Sequence, residues 1–384
     1  MSVVVDQITT APDRRDLRWL RAALQSAVEL EHATLPLYTA AMLSLEVQNY
    51  PTYNTIRSVL MEEMVHMAIA ANMLAALGGS PRIRTLDPGY PCRGLPGGAE
   101  PDLHVGLAAL SPAQLAQFMR IEAPAALLPA ACLRDGYPTI GLLYETIRAA
   151  IVEDADEVRA AVETGGPAIQ VGDDIGFAII DRTSGVDAVE QLCAGIDEIL
   201  EQGEGSTAGT IHTGERYQDE ESHYARFAEL HYGRLYRDPG PGVVLNRSTE
   251  PEFFQGTDIP WPGVVNTLAV PRDGYDALLA RDVDGAAVRG ELEQFDAVYT
   301  GMLEHLDAMW NGSAEGQWPT FGDAVTAMVE LRVLSCFTIM RRPVPAELVA
   351  DLATLYPDEI GTLAHYTDLD RPVFYGPRFR NTNA

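Results

Sequence analysis

Three observations predict an all-α chain built around a four-helix bundle. Apolar residues recur at helical spacing through most of its 384 residues, Pro and Gly clusters punctuate those stretches, and glutamates interrupt the apolar stripes. With 47% hydrophobic residues the chain can fill one large core or two packed subdomains.

The first helix is expected over residues 15–48, where Leu24, Val28, Leu35, Tyr38 and Met42 share a face. Pro36 lies inside it and should kink it, because proline lacks the backbone donor. A turn at 49–54 leads to a second helix, 55–77, stopped by Gly78-Gly79. A Pro- and Gly-rich loop fills 80–110. Ser111-Pro112 opens a shorter helix reaching about Ala123, and Asp135-Gly136-Tyr137-Pro138 breaks the chain before a helix at 139–163. Residues 165–183 are mixed, with room for a short extended segment. Helices at 184–203 and 217–236 follow, separated by a polar loop. Residues 1–237 are read as the bundle and 238–384 as a C-terminal extension packed on it. The extension carries an irregular stretch at 238–268, helices near 284–311 and 320–341, and an extended tail at 366–384 laid over the surface.

The formal charge is −28, and all 27 basic residues are arginine. A field of that sign repels nucleic-acid phosphates and anionic lipid and favours cations. No apolar run is expected to span a membrane, and the N-terminus lacks the basic-then-apolar order of a signal peptide, so a cytoplasmic protein is expected. Cys92, Cys132, Cys193 and Cys336 are scattered without a C-x-x-C pair, which argues against a disulfide framework or a thiolate zinc site.

The chemistry is carried by acids on core faces. Glu31 falls on the apolar stripe of the first helix. Glu63 interrupts the stripe Ile56, Leu60, Met67, Ala70, Leu74 of the second, with His66 three residues on. Glu220 and His223 repeat that Glu-x-x-His spacing on a late helix. Buried carboxylates must be neutralised, paired or metal-bound, and few basic residues share these stripes. Residues i and i+3 are neighbours on a helix, so one carboxylate and one imidazole can grip a shared ion. Two such helices plus a glutamate from each of two others form a dinuclear site inside a bundle. The ligand set suits two iron ions, with manganese or copper as alternatives.

Three residues compete for the fourth helix's carboxylate. Glu204 ranks first, because it could lie level with Glu220 across an antiparallel pair. Glu122 follows, on a stripe with Leu115 and Phe118. Glu145 comes third, since Arg148 on its face offers a surface ion pair. His32, Glu62 and Glu221 lie off the stripes, His231 reads as a core-edge histidine, and core packing is the expected role of Tyr38 and Tyr224.

The segments ELEHATLPLY (29–38), EEMVHM (62–67), FMRIEAP (118–124), TIGLLYETI (139–147), EQGEGS (201–206) and DEESHYARF (219–227) occur in this order. Together they resemble the ferritin-like domain of the VioB type, the iminophenyl-pyruvate dimer synthase domain, over roughly residues 15–237. Leu142 stands where that family often has a polar residue. The resemblance implies a metal-dependent oxidative role in secondary metabolism. It carries Glu31, Glu63, His66, Glu220 and His223 onto the metal-ligand pattern, with Glu122 and Glu204 inside matched segments.

The expected activity is that of a non-haem di-iron oxidase or oxygenase, in which the metal centre itself is the catalytic group. It would use dioxygen or peroxide on a small amino-acid-derived or aromatic metabolite. Imine-dimer synthesis of the VioB type and non-catalytic iron or peroxide handling are the alternatives. Neither nucleic acid nor membrane is an expected partner, and a small homo-oligomer is.

Overall fold

A computed structural model describes residues 3–46, 51–128, 137–172, 180–204, 221–240 and 242–384. Helix dominates, as the periodicity predicts. After a short α1 (Val3–Ile8), helix α2 (Leu17–Leu43) opens on Asp16, whose side chain accepts from the Trp19 amide at 2.8 Å. This satisfies an amide that the first turn would otherwise leave unpaired. Helix α2 continues through Pro36 and buries Leu24, Val28, Glu31 and Tyr38.

Helix α3 (Pro51–Ala76) is buried along most of its length. By length and mean hydropathy it is apolar enough to cross a bilayer, contrary to the expectation that no segment is. Protein rather than lipid covers it, since 78% of its most apolar window is buried, and it also holds Glu62, Glu63 and His66. The loop that follows contains a two-residue antiparallel pair, β1 (Cys92–Arg93) with β2 (His104–Val105). These are the strands found among the described residues. None falls in the described parts of 165–183, where an extended segment is expected.

Helix α4 (Pro112–Ile121) begins at Ser111, which caps the Gln114 amide. The single helix expected over 139–163 is two, α5 (Ile140–Glu153) and α6 (Ala155–Thr164), meeting at Asp154. Four acids fall within residues 153–157, and like charges at i, i+3 and i, i+4 oppose a continuous helix there. Helix α7 (Ala188–Glu204) precedes α8 (His223–Tyr232), which starts at the Ser222 cap and ends at Gly233 in the left-handed conformation. In the bundle, α2 packs along α3 and α5, α3 along α7 and α8, α4 against α8, and α5 against α7.

The C-terminal part contributes α9 (Asp276–Leu279), a hairpin of α10 (Gly285–Asn311) and α11 (Gln317–Phe337), and three short helices, α12 (Ala346–Ala350), α13 (Leu352–Leu355) and α14 (Ile360–Tyr366). Helix α10 reaches the bundle through polar contacts. The Tyr299 hydroxyl lies 2.7 Å from His32 Nε2 on α2, and Trp310 Nε1 donates to Asn72 on α3 at 2.7 Å. The tail is not a surface strap. Val373, Tyr375, Arg378 and Phe379 are buried, and Phe379 meets the rings of Phe295 and Tyr299 edge-on.

Candidate metal centre

Five side chains converge in the bundle core. Helix α2 supplies Glu31, α3 supplies Glu63 and His66, Glu122 lies at the C-terminal cap of α4, and His223 opens α8. All five are buried. The inward-facing atoms form a chain of close approaches. His66 Nδ1 stands 4.0 Å from Glu31 Oε2 and 3.5 Å from Glu63 Oε1. His223 Nδ1 stands 2.7 Å from the same Glu63 oxygen and 3.7 Å from Glu122 Oε2. The two imidazoles stack with centroids 5.2 Å apart. Glu63 is thus central, with Glu31 and His66 to one side and Glu122 and His223 to the other.

Each carboxylate is held by its other oxygen. Tyr144 on α5 donates to Glu31 Oε1 at 2.6 Å, Thr34 on α2 donates to Glu63 Oε2 at 2.7 Å, and the Tyr38 hydroxyl bonds Glu122 Oε1. The imidazoles are held from behind as well. His66 Nε2 meets Gln202 Oε1 on α7 at 2.7 Å, and His223 Nε2 meets Glu62 Oε2 at 2.9 Å. Arg226, one turn beyond His223, in turn binds Glu62 Oε1 at 2.6 Å. Outer hydrogen bonds therefore fix every orientation and leave one oxygen or Nδ1 of each group turned inward.

The electrostatics follow from that crowding. Burial, and then the charge of Glu63, pushes the Glu31 pKa up to about 8. Burial and Glu63 likewise raise Glu122. Burial alone would raise Glu63 too, but the imidazoles of His223 and His66 beside it bring it well below the usual carboxylate range. Burial works against charge on His66 and His223, yet the surrounding carboxylates outweigh it and raise both. Without another cation, protons keep the cluster near neutrality.

The donor set fits a metal. His223 Nδ1 is buried with no hydrogen-bond partner although a carboxylate oxygen lies 2.7 Å away, so both aim at common space rather than at each other. Donors each about 2.1 Å from one ion stand roughly 3 to 4 Å apart, and most of the inward separations fall in that range. Glu63, His66 and His223 can each offer one ligand atom within 4.8 Å of the others.

Of the sequence-predicted residues, the structure brings together Glu31, Glu63, His66, Glu122 and His223. Glu220 and the side chain of Glu204 lie outside the described residues. Helix α7 nevertheless ends at the cluster. Gln202 touches His66, and a Cβ on Gly203 would stand 3.5 Å from Glu122 Oε2. Glu145 is exposed on α5 and away from the cluster, while its neighbour Tyr144 reaches in. The partner of Arg148 is Asp197 rather than Glu145. His32 turns to Tyr299, and His231 is exposed rather than at the core edge. Tyr224 bonds Glu250, whereas Tyr38 both packs on Phe118 and Phe227 and holds Glu122. Sequence reasoning missed Glu62, which lies off the apolar stripe, Tyr144 and Thr34, which are buried and read as ordinary core residues, and Gln202, which reads as part of a helix end. The doubled acid at 62–63 was the one signal available.

A ferritin-like family model matches residues 24–232, more than half the chain and the whole of the cluster. The chain belongs to the ferritin-like family. It is also similar to the crystal structure of a ferritin-like protein from Caulobacter vibrioides, with 22% sequence identity and a TM-score of 0.55 over 83% of this chain and 94% of that one. At that identity the likeness shows the fold. No curated protein matches.

Proposed function

We propose that this ferritin-like chain is a dinuclear-metal oxidoreductase. Glu31 and His66 would hold one ion, Glu122 and His223 the other, and Glu63 would lie between them. The observation that carries the reading is the buried, unpartnered Nδ1 of His223, aimed with Glu63 Oε1 into a space ringed by carboxylates. Iron is the ion this mixed carboxylate and imidazole set suits best. When bound, it supplies redox chemistry toward dioxygen or peroxide.

The protein's own part is positional. Tyr144, Thr34 and Tyr38 keep the carboxylates turned inward, Gln202 and Glu62 fix the imidazole orientations, and burial keeps bulk water from the centre. Metal must displace the protons on Glu31, Glu122 and the histidines, so its binding releases protons and strengthens with pH. The resemblance to VioB-type domains supplies the proposed substrate class, a small amino-acid-derived or aromatic metabolite.

Metal analysis of protein grown with iron tests the reading. About two ions per chain are expected, as in other paired-carboxylate bundles. Glu63→Ala and His223→Ala should lose them. Glu62→Gln, which touches no ion, should weaken binding roughly tenfold to a hundredfold. Oxygen uptake with oxidised aromatic amino acids then tests turnover. A folded wild-type chain that binds no metal would overturn the proposal.

A further inference from the structure

Helix α11 carries apolar residues on two opposite faces. One face, with Ala324, Leu331 and Leu334, is buried. The other exposes Trp318 (58%), Val325 (40%), Val329 (57%), Val333 (47%) and Phe337 (67%). Among the described residues, five of the thirteen exposed large apolar side chains thus lie on one helix of 21 residues. A helix that is apolar all round is normally covered all round.

We infer that this outward face of α11 is the contact surface of a two-fold dimer of this chain. The geometry, area and charge of the face agree on a second copy as its occupant. At about 100° per residue, Trp318, Gly322, Val325, Val329 and Val333 fall within roughly 40° of one line along the helix, a straight seam of the kind that packs helix on helix. Gly322 lets a facing backbone approach closely.

The area suffices. An aromatic side chain covers about 150–250 Å², so Trp318 and Phe337 together present on the order of 250 Å² at their exposures, and the three valines add about as much. That is near the upper end for a patch left bare on a monomer. With the polar rim it approaches the ~800 Å² per partner of a stable interface.

The charges at the seam's edges are complementary under a two-fold axis. Arg332 and Glu330 are both exposed and flank the line of the seam, Arg332 about 60° to one side and Glu330 about 100° to the other. An axis running along α11 turns the acidic edge of each copy toward the arginine edge of its mate. The net charge of −28 disfavours an anionic membrane or nucleic acid as the occupant.

The experiment is the mass of the full chain by light scattering and sedimentation over a wide concentration range. The wild type should run at twice the 41.7 kDa chain mass. Val329→Glu should run at the chain mass with an unchanged circular dichroism spectrum, since the side chain is more than half exposed in a single copy. Val329→Cys, in a Cys336→Ser background, should form a covalent dimer on mild oxidation. A wild type at the chain mass throughout, or a Val329→Glu chain still at twice that mass, would overturn the inference. So would a Val329→Cys chain that fails to cross-link, whatever becomes of the glutamate variant. None of these readouts depends on bound metal, so the dimer and the metal centre stand or fall separately.

Discussion

Glu31 and Glu63 carry the same functional group, lie in the same core and are driven to opposite protonation states. Glu63 sits between two imidazoles, whereas Glu31 has Tyr144 on one oxygen and His66 at 4.0 Å from the other. In metal-free protein, Glu31 keeps its proton up to about pH 8, while an unfolded chain gives it up near 4.5. Its contribution to stability is therefore complete below the unfolded value and fades as pH rises through about 8. Glu63 has the reverse sign, since its depressed pKa stabilises above 4.5 and that contribution is lost in acid. Chelated wild-type protein should thus lose thermal stability between about pH 5 and pH 8. Glu31→Gln, which fixes the neutral state, should flatten that decline, and scans across this range on both proteins check it. An equal decline in the variant would assign the effect elsewhere. The inward-facing acids of α2 and α3 were legible in the sequence because a charge on an apolar stripe breaks a pattern. Their hydroxyl partners were not, because a buried Tyr or Thr is consistent with the same stripe.

Elements deliver these residues with unequal security. Glu31 and Glu63 lie mid-helix in α2 and α3, where backbone hydrogen bonds on both sides fix them. His223 is the first residue of α8, one position after the Ser222 cap. The cap oxygen accepts from the Ala225 amide at 3.4 Å, a long contact that still serves an otherwise unpaired group. Ser222→Ala should cost about 1 kcal/mol in denaturant unfolding, and Ser222→Asp should retain most of that stability. If metal affinity falls with the alanine variant and returns with aspartate, the cap also sets the His223 position. Identical unfolding midpoints for all three proteins would count against a capping role. The sequence gives the long helices well, because periodicity and glycine stops are strong signals. It misjudges their ends at α8 and the break between α5 and α6, where local capping and acid repulsion decide against the apolar period.

At the scale of the molecule, the C-terminal tail ties the α10 end of the extension together. An aperiodic segment such as Arg-Pro-Val-Phe-Tyr-Gly-Pro-Arg-Phe carries no period from which burial could be read, so the sequence suggests a surface strap. In the structure the tail enters the core, and Arg378 Nε donates to Asp296 Oδ2 on α10 at 2.7 Å with both side chains buried. Phe295 and Tyr299 of α10 meet Phe379, and Tyr299 in turn holds His32 on α2, next to Glu31 in sequence. The contacts from tail to bundle are therefore continuous. Desolvating an ion pair costs nearly what the pairing returns, whereas removing one partner strands the other charge. Arg378→Ala and Asp296→Ala should therefore each cost about 3–5 kcal/mol. The double variant should cost clearly less than their sum, because neither charge is then left buried alone. A thermal and denaturant cycle on the four proteins measures this coupling. Strict additivity would mean that the pair is solvated and the tail only loosely seated. Strong coupling, with unfolding still a single transition, would mean that the tail, the extension and the bundle unfold as one unit.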